Sequence, residues 1–160
     1  MRLIETSLGN FYSPDDPGES CYPNAVPRHS VTKQEAKLLM EFAEGKKVLE
    51  IGTGLGISTR AMAAKAKEVV SVDIDDWCHQ HEFPANVRLM KEVPDEEFDF
   101  AFIDGDHRYE AVKADIARTR AKVIALHDCD HPDVVRALVD SDLKVIKAYP
   151  TVCQLTICER

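Results

Sequence analysis

Three features of the sequence predict an α/β fold, doubly wound, with a mostly parallel seven-stranded sheet and a final antiparallel strand. Short apolar runs alternate with segments whose apolar residues recur at helical spacing. A glycine-rich turn joins one of those runs directly to a helix. The last two runs are separated by only a few residues, too few for a parallel crossover, so one of them must run antiparallel.

In chain order, residues 1–31 contain Pro14, Pro17, Gly18, Pro23 and Pro27 among polar and aromatic residues and read as an irregular N-terminal arm. The domain proper spans residues 32–160. Thr32 and Glu35 have the spacing of a capping box, and Ala36, Leu39, Met40 and Ala43 then recur at helical intervals until Gly45. Strands are predicted at Lys47–Ile51, Glu68–Asp73, Val87–Met90, Phe98–Ile103, Lys122–Leu126, Leu143–Ala148 and Gln154–Cys158. Helices are predicted at Ile57–Ala66, Tyr109–Arg118 and Pro132–Asp140, the last with Val134, Val135, Leu138 and Val139 as its apolar stripe.

Composition narrows the function classes. The chain has 160 residues, 44% hydrophobic and 30% charged, which suits one soluble domain with a core of its own. No apolar run approaches the roughly 20 residues of a membrane helix, and the first residues lack the apolar segment of a secretory signal. A cytoplasmic location without membrane association is therefore expected. Cys21, Cys78, Cys129, Cys153 and Cys158 contain no CxxC pair, and their odd number leaves at least one outside any internal disulfide framework. With 20 basic and 28 acidic residues, the formal charge of −8 creates no general attraction to phosphate backbones, which disfavours a nucleic-acid partner.

The strongest local signal runs from Val48 through Glu50, Gly52, Thr53, Gly54 and Gly56 to Ser58 and Thr59. Glycines permit close approach of the backbone to a nucleoside, and the following helix offers unpaired N–H groups. A dinucleotide-binding loop would place its third glycine where Ile57 stands. The next strand ends in Asp73, about 20 residues beyond the loop, where a carboxylate can accept both ribose hydroxyls. In these residues the sequence resembles the class I S-adenosylmethionine-dependent methyltransferases, which have a Rossmann-like fold. The resemblance covers most of the chain from Thr32 to Arg160. It implies S-adenosylmethionine as cofactor, with Gly52, Gly54 and Gly56 beside the methionine moiety, Asp73 on the ribose, and Glu50 facing the amino group directly or through water. It further implies Thr53, Ser58 and Asp104 as cofactor contacts and Ile74, with Trp77, as packing for adenine. Trp77 is equally readable as an ordinary core or surface aromatic.

A second constellation lies at two strand ends. Ile103 is followed by Asp104, Gly105, Asp106 and His107, and Leu126 by His127 and Asp128. Adjacent parallel strands lie about 4.8 Å apart, so Asp104 and Asp128 can converge at the sheet edge where ligands bind. Two carboxylates there suit a hard cation such as Mg²⁺, and His107 can take a proton from a hydroxyl. The run from Phe102 through Tyr109 to Asp115, together with His127 and Asp128, resembles the metal-dependent sugar O-methyltransferases. That resemblance implies Asp104 and Asp128 as ligands of Mg²⁺ or another divalent cation, His107 as catalytic base with Asp104 beside it, and a small-molecule acceptor. Structural readings stand beside it: Asp104 as a cap of the next helix, and His127 and Asp128 as partners of backbone groups at a strand end. His29, His79, His81 and His131 read as loop residues, and Cys129-Asp130-His131 lacks a second cluster at zinc spacing.

Between Asp73 and Phe98 there is room for one turn or short helix and one strand, and the strand ends in Met90-Lys91-Glu92, an unconvincing adenine-binding acid. A helix usual in the family is missing. With no inserted cap, the arm, including Phe11, Tyr12, Tyr22 and Arg28, or a neighbouring subunit of a homo-oligomer would cover the acceptor. Two readings compete with methyl transfer: a non-catalytic cofactor-binding or scaffold module, and a ferrous-iron site built from His107, His127 and one aspartate.

Overall fold

The computed structural model describes residues 3–6, 9–12, 31–75 and 82–160. The remaining arm residues and 76–81 lie outside the described set, and with them Trp77, Cys21, Cys78, Tyr22, Arg28, His29, His79 and His81. Phe11 and Tyr12 are described through their backbone alone.

Within the arm, strands β1 (Leu3–Thr6) and β2 (Gly9–Tyr12) pair antiparallel, a departure from the irregular segment the sequence suggests. The prolines that argue against regular structure begin only at Pro14, whereas LIET and GNFY are rich in strand-favouring β-branched and aromatic residues.

Helix α1 (Lys33–Ala43) opens on the predicted capping box: Glu35 N donates to Thr32 Oγ1, and the Glu35 carboxylate accepts from Thr32 N. It leads into β3 (Lys47–Ile51), α2 (Ile57–Ala63), β4 (Glu68–Val72), β5 (Val87–Met90) and β6 (Phe98–Ile103). Then follow α3 (Tyr109–Arg118), β7 (Ala121–Leu126), α4 (Pro132–Val139), β8 (Lys144–Ala148) and β9 (Thr156–Glu159). The seven-stranded sheet has the order β5-β4-β3-β6-β7-β9-β8. β3 to β7 are parallel, and β9 runs antiparallel to both β7 and β8, as the short final connection requires.

The central strands are apolar on both faces, because each face is covered by helices. Leu49, Val70, Ala101 and Ile124 pack with Val112 and Ile116 of α3 and Val134 and Ala137 of α4. Val48, Val69, Phe100 and Ala125 point the other way and pack with Leu39 of α1 and Met62 of α2. On α4 the buried stripe is Val134, Ala137 and part of Leu138; Val139, expected in it, is 76% exposed and Val135 40%. An eight-residue helix lying on a sheet edge needs only a narrow apolar face.

Strand order reverses between β3 and β6, since β4 and β5 extend the sheet to one side and β7 to the other. Ligands of doubly wound folds bind in the crevice this reversal opens at the carboxyl ends of the strands. A cavity of about 790 Å³ lies there, lined from both sides by residues that follow β3, β4, β6 and β7.

Candidate active site

One half of the cavity is made by backbone. Gly52, Gly54 and Gly56 all have positive φ, at 97°, 50° and 75°, so the chain leaves β3 through a left-handed path that L side chains rarely take. Gly52 is further constrained by its neighbour: a Cβ placed on it would lie 2.1 Å from the carbonyl oxygen of Asp104. The missing side chain allows the loop after β3 and the loop after β6 to touch, which Asp104 N confirms by donating to Ile51 O at 2.8 Å. Gly54 N then donates to Asp73 Oδ2 at 2.8 Å, and Asp75 N to Oδ1 at 2.9 Å. These bonds hold the Asp73 carboxylate on the cavity rim. Beside it, Ile74 is 86% exposed and lines the cavity, an apolar surface left for a flat ligand.

Glu50 sits behind this loop, away from the cavity wall. It is fully buried and accepts hydrogen bonds from Ser58 Oγ, Thr59 Oγ1 and Ser71 Oγ, each at 2.5 Å. Burial pushes its carboxyl up to about 7, against the opposing effect of the three hydroxyl donors. Glu50 thus ties the end of β3 to the start of α2 and to β4. Ser58 and Thr53 do line the cavity, with Thr53 Oγ1 also 2.7 Å from Ser71 Oγ. Gly56 caps α2 and packs under the Phe83 ring without lining the cavity.

The other half is made by side chains. Asp104 follows β6, and His127 and Asp128 follow β7. His127 Nδ1 lies 3.1 Å from Asp104 Oδ1 and 3.0 Å from Asp128 Oδ2. His107 Nε2 lies 3.0 Å from Asp128 Oδ2 and 3.5 Å from Asp104 Oδ1, yet neither contact has hydrogen-bond geometry. The strand-end adjacency expected from the sequence therefore brings Asp104, His107, His127 and Asp128 together. Asp104 is not a helix cap, because α3 starts after Arg108 with no side-chain cap. Asp128 adopts φ 49°, a left-handed turn uncommon for a residue other than glycine, that places its carboxylate beside both histidines. His131, predicted as a loop residue, accepts from Asp133 N and caps α4.

These groups charge one another. The Asp104 and Asp128 carboxylates around His107 push its imidazole up to about 10. Burial favours neutral His127, but Asp104, Asp128 and Glu35 outweigh it and hold the ring well above the ordinary histidine range. Burial likewise raises Asp104 and Asp128, and the two histidines more than reverse it, so both stay ionised. A single ligand atom from each of Asp104, His127 and Asp128 falls within 4.8 Å of the others, a spacing that fits one cation between them.

A nucleoside-sized cavity with a glycine loop on one wall and a carboxylate–imidazole cluster on the other is the site of a group-transfer enzyme on a doubly wound fold. The methyltransferase-domain family matches residues 28–134, well over half of the chain, and the protein belongs to that family: it is an S-adenosylmethionine-dependent methyltransferase. Among curated proteins, no sequence matches. Solved structures share the fold at low identity. A proposed RNA methyltransferase from Pyrococcus horikoshii superposes with a TM-score of 0.66 at 14% identity, covering 92% of this chain and 95% of that one. A proposed O-methyltransferase from Klebsiella pneumoniae gives 0.65 at 17%, covering 84% and 83%. An N-methyltransferase from Bradyrhizobium japonicum, in complex with S-adenosyl-L-homocysteine, gives 0.60 at 12%, covering 80% and 86%. These neighbours are named for different acceptors, so the fold does not identify the acceptor, which must be argued from the site. Among the described residues no helix is long and apolar enough to cross a membrane.

Two residues at the site carry weight that sequence reading did not assign. The sequence places Glu35 only in a capping box, and it assigns no role to Lys91, which lines the cavity and donates to Ile74 O at 2.9 Å. Glu35 shows no local signal beyond the capping box; only the packing of α1 against the β7 end discloses its second partner.

Proposed function

We propose that the protein transfers the methyl group of S-adenosylmethionine to a hydroxyl oxygen of a small molecule, a sugar or another polyhydroxylated metabolite. The observation that carries this reading is the meeting of Asp104, His107 and Asp128 on the wall of the cavity that the glycine loop also lines. In this reading Gly52, Thr53, Gly54 and Ser58 border the methionine end of the cofactor, Asp73 holds the ribose, and Ile74 packs on adenine. Glu50 serves from behind by holding the loop in shape.

Asp104 and Asp128 fit a divalent cation, since both are ionised and converge with a nitrogen donor. Asp104 and Asp128 would hold such a cation, which would supply a lowered pKa to the acceptor hydroxyl. His107, whose Nε2 faces the same wall of the cavity, is the group that would accept the hydroxyl proton. The acceptor oxygen attacks the sulfonium methyl in line, and the protein's contribution is chiefly alignment of the two. A formal charge of −8 favours a small acceptor over RNA.

Calorimetric titration with S-adenosylmethionine and S-adenosylhomocysteine, with divalent cation and with chelator, tests the cofactor half; NAD is the control. Methyl transfer is then measured on hydroxylated metabolites and on RNA. Cation-dependent transfer to a hydroxylated small molecule is the expected result. Transfer to RNA alone, or transfer indifferent to chelator and to His107→Ala, would overturn it.

A further inference from the structure

Residues 91–97 alone connect β5, at the edge of the sheet, to β6 on the far side of β4 and β3. Fully extended, so short a segment reaches roughly 25 Å, so it crosses the sheet as a strap instead of the usual crossover helix. Met90 and Val93 pack on the core cluster that contains Val70, while Val72, nearer the strand ends, lines the cavity. With no helix between them, one face of α3 also reaches the cavity. Ala111, Ala114, Asp115 and Arg118, at spacings of three and four, all line it.

On this flank Lys91, Glu92, Asp106 and Arg118 are exposed, whereas Asp115 is only 3% exposed. Its Oδ1 accepts from Arg118 Nη2, the one donor to this carboxylate among the described residues. Oδ2 lies against Gly105: a Cβ there would stand 3.4 Å from it, so the bare glycine, itself on the cavity wall, leaves that oxygen open on this side. Ala111 and Ala114 end at Cβ and keep the wall beside the carboxylate hollow. Burial pushes the Asp115 carboxyl up against the opposing pull of Arg118, as expected of a carboxylate short of donors.

Ile74 offers a base a flat apolar surface, which suits any purine; selecting one purine takes a polar group at its edge. Glu92, at the end of β5, is exposed and poorly suited to the task. We propose that Asp115 is the residue that selects adenine in the cofactor, its Oδ2 accepting from the exocyclic amino group. The selecting carboxylate comes from α3, through the gap that the short strap leaves, and not from the end of β5. The inference rests on the reading of this cavity as the S-adenosylmethionine site with the base on Ile74. A 6-oxo purine replaces the amino donor by an acceptor and sets an oxygen against the carboxylate.

The test is calorimetry on the full chain with S-adenosylhomocysteine and its deaminated analogue, S-inosylhomocysteine. We expect the wild type to bind the adenine form roughly 10–100-fold more tightly, the value of a hydrogen bond to a charged group. Asp115→Asn should narrow that ratio to about threefold or less, because a carboxamide offers the purine edge either a donor or an acceptor. Gly105→Ala keeps the aspartate–arginine pair and sets a methyl beside Oδ2, so it should narrow the ratio as well. An aspartate that served only the packing of α3 would, on substitution, weaken both ligands alike and leave the ratio as it was. A wild-type ratio near one, or a ratio unchanged in both variants, would overturn the inference and leave the cofactor reading standing. Binding of neither ligand to the wild type would overturn both.

Discussion

The two walls of the cavity are built in opposite ways. The wall proposed to hold the cofactor is local and mostly backbone: Gly52 to Ser58 and Asp73 to Ile74 fall within two consecutive β-strand ends, and the main interaction between them is a main-chain N–H on a carboxylate. The opposite wall is non-local and carried by side chains, Asp104 and His107 after β6 and His127 and Asp128 after β7, with Glu35 of α1 buried behind His127. A backbone cradle tolerates changes of side chain but not of conformation. A cluster of ionised side chains is the reverse, because removing one member leaves another buried charge without its partner.

The greatest effect is expected where the walls touch. Gly52→Ala would force a Cβ against the Asp104 carbonyl at a φ of 97°, so cofactor and cation binding should fall together, each by roughly 100-fold or more, with strain of about 1–3 kcal/mol or above. Calorimetry with S-adenosylhomocysteine and Mn²⁺ on the same sample reads both; loss of only one would break the idea that this contact joins the walls.

Next come the substitutions that should separate the walls. Asp128→Ala should cut cation binding and methyl transfer by about 100-fold while leaving S-adenosylhomocysteine affinity nearly intact. Asp73→Ala should weaken S-adenosylhomocysteine roughly 10–100-fold, the value of a charged hydrogen-bonding partner, with cation affinity unchanged. Similar losses of both ligands in both variants would mean the two halves are not separable.

The smallest effect concerns the support of the cofactor wall and is a matter of pH. The Glu50 carboxyl is raised from its ordinary 4.5 to about 7 in the folded protein, so the native state holds a proton that the unfolded chain has released between those values. Stability from this group is full below about 4.5 and is lost as pH rises through about 7, on the order of 2 kcal/mol between about pH 5 and about pH 8. Urea unfolding across that range should show the decline in the wild type, and Glu50→Gln should flatten it. A wild-type curve that rises over the same interval would reverse the assignment.

How much of each wall was legible follows from the same contrast. Strand and helix positions along the core could be read because apolar periodicity is a local property, and β3, β5, β6 and α3 coincide with their predicted bounds. The glycine loop and Asp73 were legible for the same reason: glycine spacing encodes a backbone path, and the path alone makes the cradle. Asp104, His107 and Asp128 could be placed together because parallel neighbours align their ends. Glu50 is buried behind the loop and off the cavity wall, a placement set by strand alternation and by the three hydroxyls that claim its carboxylate. On α4, periodicity could not say how wide a face the sheet edge would cover, so Val135 and Val139 were assigned to a core they do not enter.

By itself, then, the sequence determined the order of elements from α1 to β9, the direction of the final strand, the glycine loop and the identity of the acidic strand ends. Each depends on residues near in the chain or on the fixed geometry of neighbouring strands. Only the tertiary structure decided that Glu35, 92 positions before His127, stands behind its ring, that Gly52 and Asp104 are in contact, and that Asp128 turns back through a left-handed bend. Those features arise from how helices and loops pack once the sheet exists, and side-chain contacts across such distances leave no periodic trace in the chain.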